Sequence, residues 1–139
     1  MNTNFGLNPN ADRRWMVVDD NADTLTLMQQ MLQELGGKAV ESYASPAEAL
    51  TVVVADPEKF ELVITDFEMP VMNGLELSRC LRASAPGLKI ILATGSGFFR
   101  ERFVRNVGLN GLLNKPFPMV TLRNILSRVG VKLETPARA

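Results

Sequence analysis

Five consecutive residues constrain this chain most: Leu62, Val63, Ile64 and Thr65, an apolar and β-branched run, lead straight into the carboxylate of Asp66. A strand that hydrophobic is covered on both faces, as in a parallel sheet with helices above and below. Asp66 then stands at its carboxyl end. In an open α/β sheet that rim is where ligands bind and chemistry is done, so the other groups delivered to it decide the function.

The rest of the chain supplies matching strands. Trp15-Met16-Val17-Val18 is a short apolar run that ends abruptly in Asp19-Asp20-Asn21. After Asn21, Leu25, Met28, Met31, Leu32 and Leu35 recur at helical spacing, and Gly36-Gly37 is read as a C-terminal glycine cap. Residues 38–43 suit a polar edge strand. Ser45 and Pro46 place a hydroxyl N-cap and a first-turn proline before a helix through Leu50, Val53 and Val54, which Asp56-Pro57 ends. A helix with Leu77, Cys80 and Leu81 on one side follows Asn73-Gly74. Residues 88–93 form a fourth strand that exits through Thr94-Gly95-Ser96-Gly97. Phe99, Phe103, Val104 and Val107 mark a helix face. Gly111-Leu112-Leu113-Asn114 is a fifth strand closed by Lys115-Pro116, and Leu122, Ile125, Leu126 and Val129 line a last helix. Five strands alternating with five helices over short connections predict an α/β three-layer sandwich around a five-stranded parallel sheet. Residues 1–12 read as a flexible N-terminal arm, 13–130 as the domain and 131–139 as a C-terminal tail.

Composition narrows the function classes. The 139 residues fit one domain, and 15 basic residues against 15 acidic ones leave no broad field to attract nucleic acid or an anionic membrane. With Cys80 alone and no histidine, a disulfide framework and a zinc site are both disfavoured, and a reducing, cytoplasmic compartment is expected. No apolar run approaches the ~18 residues of a membrane span.

Asp19 and Asp20, Asp66, Thr94 and Lys115 are the residues at which four of the five strands exit, so all are expected on one rim. Three carboxylates that close repel one another unless one is protonated or a cation sits among them. Mg²⁺ is the economical cation, because it takes oxygen ligands and keeps positions for water and phosphate. A lysine and a hydroxyl opposite suit phosphate oxygens. The set looks built for phosphoryl transfer to a carboxylate. Taken singly, the same residues have plainer readings: Asp19, Asp20 and Asn21 as a helix cap, Asp66 as a turn former, Lys115 as a solvated loop residue.

The chain from about Arg13 to Val129 resembles the receiver domain of two-component response regulators. The resemblance rests on Val17-Val18-Asp19-Asp20-Asn21, on Asp66-Phe67-Glu68-Met69-Pro70-Val71-Met72-Asn73-Gly74, on Thr94-Gly95 and on Lys115-Pro116-Phe117. It implies a flavodoxin-like sheet of order 2-1-3-4-5. It implies that Asp66 accepts a phosphoryl group from the phosphohistidine of a sensor histidine kinase or histidine phosphotransfer protein. Mg²⁺ would be held by Asp20, by Asp19 through water, by Asp66 and by the backbone carbonyl of Glu68. Lys115 would pair with the phosphate and Thr94 would swing toward it. Apart from its own phosphorylation and dephosphorylation no enzymatic turnover is expected, and the output would run through an unidentified downstream protein, with a phosphorylation-dependent dimer among the options. Nothing after Val129 is long enough for an output domain, so a stand-alone receiver or a piece of a larger chain is expected.

Three features depart from the family pattern. Leu112 stands three positions before Lys115 where most receivers have an aromatic residue, which removes the usual partner of the threonine shift. Glu68 puts a long carboxylate beside the site and is expected to tune dephosphorylation, an expectation that an unchanged decay rate in Glu68→Asn would contradict. Phe98, with Arg102 and Arg105, reads either as a loop-end aromatic or as part of a docking patch. Two other functions compete: a phosphorylation-independent pseudo-receiver, and a Mg²⁺-dependent phosphatase with Asp66 as transient nucleophile, which lacks room for a substrate cap.

Overall fold

The computed structural model describes residues 13–36, 39–95, 97 and 100–133. Strands and helices alternate in the order β1 (Arg14–Val18), α1 (Ala22–Gly36), β2 (Val40–Tyr43), α2 (Pro46–Ala55), β3 (Phe60–Asp66), α3 (Gly74–Ser84), β4 (Lys89–Thr94), α4 (Glu101–Asn106), β5 (Gly111–Asn114) and α5 (Met119–Arg128). The strands pair in parallel in the order β2-β1-β3-β4-β5, the flavodoxin-like arrangement. β3 is therefore central, and every residue from Leu62 to Asp66 is buried.

Strand alternation splits the core into two layers. Trp15, Val17, Leu62 and Ile64 face one side, where Met28, Leu32 and Leu35 of α1 and Leu122, Ile125 and Leu126 of α5 cover them. Met16, Val18, Val63 and Leu92 face the other, beneath Ala49 and Val53 of α2, Leu77 and Leu81 of α3 and Val104 of α4. At roughly 1.5–3 kcal/mol for each large aliphatic side chain buried, this two-sided burial outweighs any strand propensity. Among the described residues no helix is long and apolar enough to cross a membrane.

Local signals act where they were expected at α2: Ser45 Oγ accepts the amide of Glu48 at 3.2 Å and Pro46 opens the helix. Other boundaries move for physical reasons. Gly36 lies within α1 rather than capping it, because the helix end packs so tightly on Trp15 that a Cβ at this position would collide with the indole ring. Gly37 and Lys38 lie outside the described residues, as do 1–12 and 134–139. β3 starts two residues early, at Phe60, and pairs across a bulge: Arg14 opposes Phe60 while Trp15 opposes Leu62. Glu61 is the extra residue, and the Trp15 indole donates to its Oε1 at 2.8 Å. In α4 the expected stripe is only partly inward. Val104 and, beyond the helix, Leu109 are buried, whereas Phe103 is 37% exposed. Phe99 lies outside the described residues.

Candidate functional site

The acids come from two strand ends. β1 stops at Val18, and Asp19 turns the chain with its amide still bonded to the Tyr43 carbonyl at 3.1 Å. Asp19 Oδ1 accepts the amide of Asn21 and Asn21 Oδ1 accepts the amide of Thr24, each at 2.9 Å. Asn21 thus satisfies the first turn of α1. The plain capping reading is met by Asn21, and a second oxygen of Asp19 and the carboxylate of Asp20 remain for other contacts. Asp19 is 3% exposed, Asp20 is exposed and Asp66, at the end of β3, is 8% exposed. One carboxylate oxygen from each of the three lies within 4.8 Å of the other two.

A tight loop holds Asp66 at this position. The Phe67 amide donates to Ala93 O and the Gly74 amide donates to Phe67 O, both at 2.9 Å. A Cβ on Gly74 would run into the carbonyl oxygen of Asp66, so only glycine lets α3 start this close to the strand end. Asn73 and Glu76 close a reciprocal capping box at 2.9 Å in each direction. Between them and the strand, Met72 N reaches Pro70 O at 2.8 Å across Val71, whose φ is +74°. That is a γ-turn of the rare, strained hand.

β4 and β5 bring the remaining groups. Ala93 is the register partner of Asp66 and Thr94 follows it, fully buried. The Lys115 amide donates to Thr94 O at 2.8 Å. Its amine donates to Asp66 Oδ1 at 2.8 Å and to Asp19 Oδ2 at 3.1 Å. One cation therefore bridges two of three acids.

The balance of charge at Asp66 follows from this crowding. Burial pushes its carboxyl above the ordinary carboxylate range; Lys115 pulls it back, Asp19 and Asp20 push it up again, and the net direction is upward. For Lys115, burial works against the charged amine, but its hydrogen bonds to Asp66 and Asp19 and their charges outweigh that and raise it. A single lysine does not neutralise three acids. An all-oxygen donor set of this charge fits a hard divalent ion such as Mg²⁺, which would favour the ionised form of Asp66.

The structure thus brings Asp19, Asp20, Asp66 and Lys115 into one pocket and sets Thr94 beside them. Glu68 is exposed, and its carboxylate is not among the three clustered acids. Phe98 lies outside the described residues. Leu112 is half-buried in the layer formed with α2, α3 and α4, opposite Leu92. Sequence reasoning missed the close approach at Gly74 and the capping box. The second was readable from the three-residue spacing of Asn73 and Glu76; the first needs the loop's path.

Known proteins resemble this chain in sequence and fold. The response regulator receiver domain family matches residues 15–127. The C4-dicarboxylate transport transcriptional regulatory protein DctD of Rhizobium meliloti (strain 1021) is 46% identical over 81 residues, 58% of this chain and 17% of the relative. The chain spans between 7% and 17% of the length of the first curated relatives it matches. Among solved structures, Vibrio cholerae chemotaxis protein CheY4 superposes with a TM-score of 0.73 at 30% identity, covering 86% of this chain and 99% of that one. The receiver domain of sensor histidine kinase PA1611 from Pseudomonas aeruginosa PAO1, solved with a magnesium ion coordinated in its active site cleft, gives 0.71 at 26% identity, with 86% and 99% covered.

Proposed function

The chain belongs to the response regulator receiver domain family, and from that premise we propose that Asp66 is its phosphoacceptor, served by Asp19, Asp20, Thr94 and Lys115. The observation that carries this reading is the contact of the Lys115 amine with Asp66 at 2.8 Å beside two further carboxylates. In the proposed reaction a carboxylate oxygen of Asp66 forms a P–O bond as the P–N bond of a phosphohistidine breaks, and the electron pair leaves with the imidazole nitrogen. Lys115, already at the pocket, exchanges its carboxylate contacts for a phosphoryl oxygen and offsets the charge that arrives. Thr94 supplies a hydroxyl donor from the adjacent strand end. Mg²⁺, held by Asp20, Asp66, the backbone carbonyl of Glu68 and, through water, Asp19, would supply charge neutralisation and orientation of the phosphoryl oxygens. Catalysis of this kind is mostly positioning, which suits a pocket built at the ends of a rigid sheet.

The receiver unit is taken as 13–130, around the matched 15–127. The phosphodonor is proposed to be a sensor histidine kinase or histidine phosphotransfer protein in a cytoplasmic setting, with a protein as target. Glu68, exposed and two residues beyond Asp66, is proposed to act on the lifetime of the phosphoaspartate. With Leu112 in place of an aromatic, the signal would leave through the loops around Thr94 and Phe67 rather than through a ring rotation on β5.

Incubation with acetyl phosphate and Mg²⁺ tests the reading by intact mass. The expected result is the gain of one phosphoryl group by the parent, its loss in Asp66→Asn, and slower labelling by on the order of 10²-fold in Lys115→Met. No gain in the parent would favour the pseudo-receiver reading.

A further inference from the structure

Between the N-terminal end of α3 and α4 lies a groove of about 690 Å³, within the rough 300–1,000 Å³ span of sites that admit ligands. Phe67, Leu75 and Phe103 give it apolar walls, and Arg100, Arg102 and Asn106 give it polar ones. It lies on the α3 side of α4, and none of Asp19, Asp20 and Asp66 lines it.

α4 packs on the core through buried aliphatic side chains. Val104 and Leu109 carry that packing, at 2% and 4% exposure, while Phe103 is 37% exposed at the groove. The charge is equally one-sided. Arg102 and Arg105 lie a helical turn apart and Arg100 precedes them; among the described residues no ion pair involves any of the three. Among the described residues no acid lines the groove. In a chain whose basic and acidic residues balance at 15 each, this is a local concentration rather than a general field.

The C-terminal end of α3 is also tied to the turn after α4. From α3, Arg82 donates to Gly108 O, just beyond α4, through Nε at 3.3 Å and Nη2 at 2.9 Å. A preformed groove spends less binding free energy on ordering.

We propose that this groove docks an acidic peptide segment of a partner protein, with an aromatic or aliphatic side chain between Phe67 and Phe103 and flanking carboxylates on Arg100 and Arg102. Aromatic and arginine side chains around one pocket are the usual makings of an interface hot spot. The balanced overall charge and the apolar walls favour such a segment over nucleic acid, whose binding rests on many phosphate contacts. The proposal does not depend on phosphoryl transfer at Asp66.

The test titrates the full chain into a fluorescein-labelled peptide, Asp-Glu-Phe-Leu-Asp-Glu, and reads anisotropy. Saturable binding to the parent is expected, weakened about tenfold or more in Arg102→Glu, Arg100→Glu and Phe103→Ser, and unchanged in Arg123→Glu on α5. Circular dichroism melts identify variants that remain folded, and acetyl phosphate labelling of the same variants reports the phosphoacceptor pocket separately. The proposal is overturned by equal binding to folded Arg102→Glu, by equal binding of the peptide with lysines in place of its acids, or by no saturation up to about 1 mM. Displacement of the peptide by a single-stranded oligonucleotide at lower concentration than by unlabelled peptide would also overturn it.

Discussion

Asp66 is 8% exposed and shares its pocket with Asp19 and Asp20. Burial, with the neighbouring acids, raises its pKa against the pull of Lys115. An acid whose folded pKa lies above its unfolded one binds more protons folded than unfolded between the two values, so stability falls as pH rises through that window and stays lower above it. Above that window the ionised Asp66 is therefore a cost to the metal-free fold. Asp66→Asn should melt higher than the parent in chelator by about 2–6 °C, and Mg²⁺ should raise the parent's midpoint more than the variant's. A variant that melts lower in chelator would contradict this balance. Val71 is a second strained residue, at φ +74° and fully exposed. Its side chain contributes no burial to offset the backbone, so Val71→Gly should stabilise the protein by about 1 kcal/mol in urea unfolding despite glycine's entropy. An unchanged or lower midpoint would mean the turn is not strained. The strain at Val71 was not legible in the sequence, whereas the mutual repulsion of the three acids was. A valine between Pro70 and Met72 carries no sign of positive φ, whereas the acids at Asp19, Asp20 and Asp66 announced themselves by ending apolar runs.

At the scale of elements, the sequence was clearest where burial dictates the pattern. The two-sided burial of β3 and the inward stripes of α1 and α5 follow from apolar spacing alone. It was least clear where a polar side chain does the joining. Arg82 on α3 donates to Pro86 O at 2.8 Å, to Leu88 O, twice to Gly108 O and to Asn110 Oδ1 at 2.8 Å. Asn110 Oδ1 also accepts the amide of Ile90 at 2.8 Å. One guanidinium thus ties α3 to the start of β4 and to the turn before β5. Arg82→Ala should cost about 1–3 kcal/mol in chemical unfolding. Arg82→Lys should recover less than half of that, because a point charge does not reach partners spread around a planar fork. A cost within about 0.5 kcal/mol for alanine would place Arg82 among ordinary surface residues. α4 was misjudged for a related reason. It has six residues, too few for a reliable periodic stripe, and Phe103 turns toward the groove rather than the core.

At the scale of the molecule, a parallel sheet gathers residues nearly a hundred positions apart because every strand ends on the same edge. The expectation of one rim for Asp19, Asp66 and Lys115 needed only that rule, and the amine of Lys115 touches both acids. The rule does not give the exact loop path, which is why the role of Gly74 and the bulge at Glu61 escaped it. It also does not say which acid reacts. The phosphoryl group is assigned by our proposal to Asp66, the acid at the end of the central strand and the one nearest the amine of Lys115. Reduction with tritiated borohydride, after incubation with acetyl phosphate and Mg²⁺, converts an aspartyl phosphate to homoserine and marks its position in a peptide digest. Label is expected at position 66, dependent on both reagents; label at Asp19 or Asp20, or none with both reagents present, would contradict the assignment.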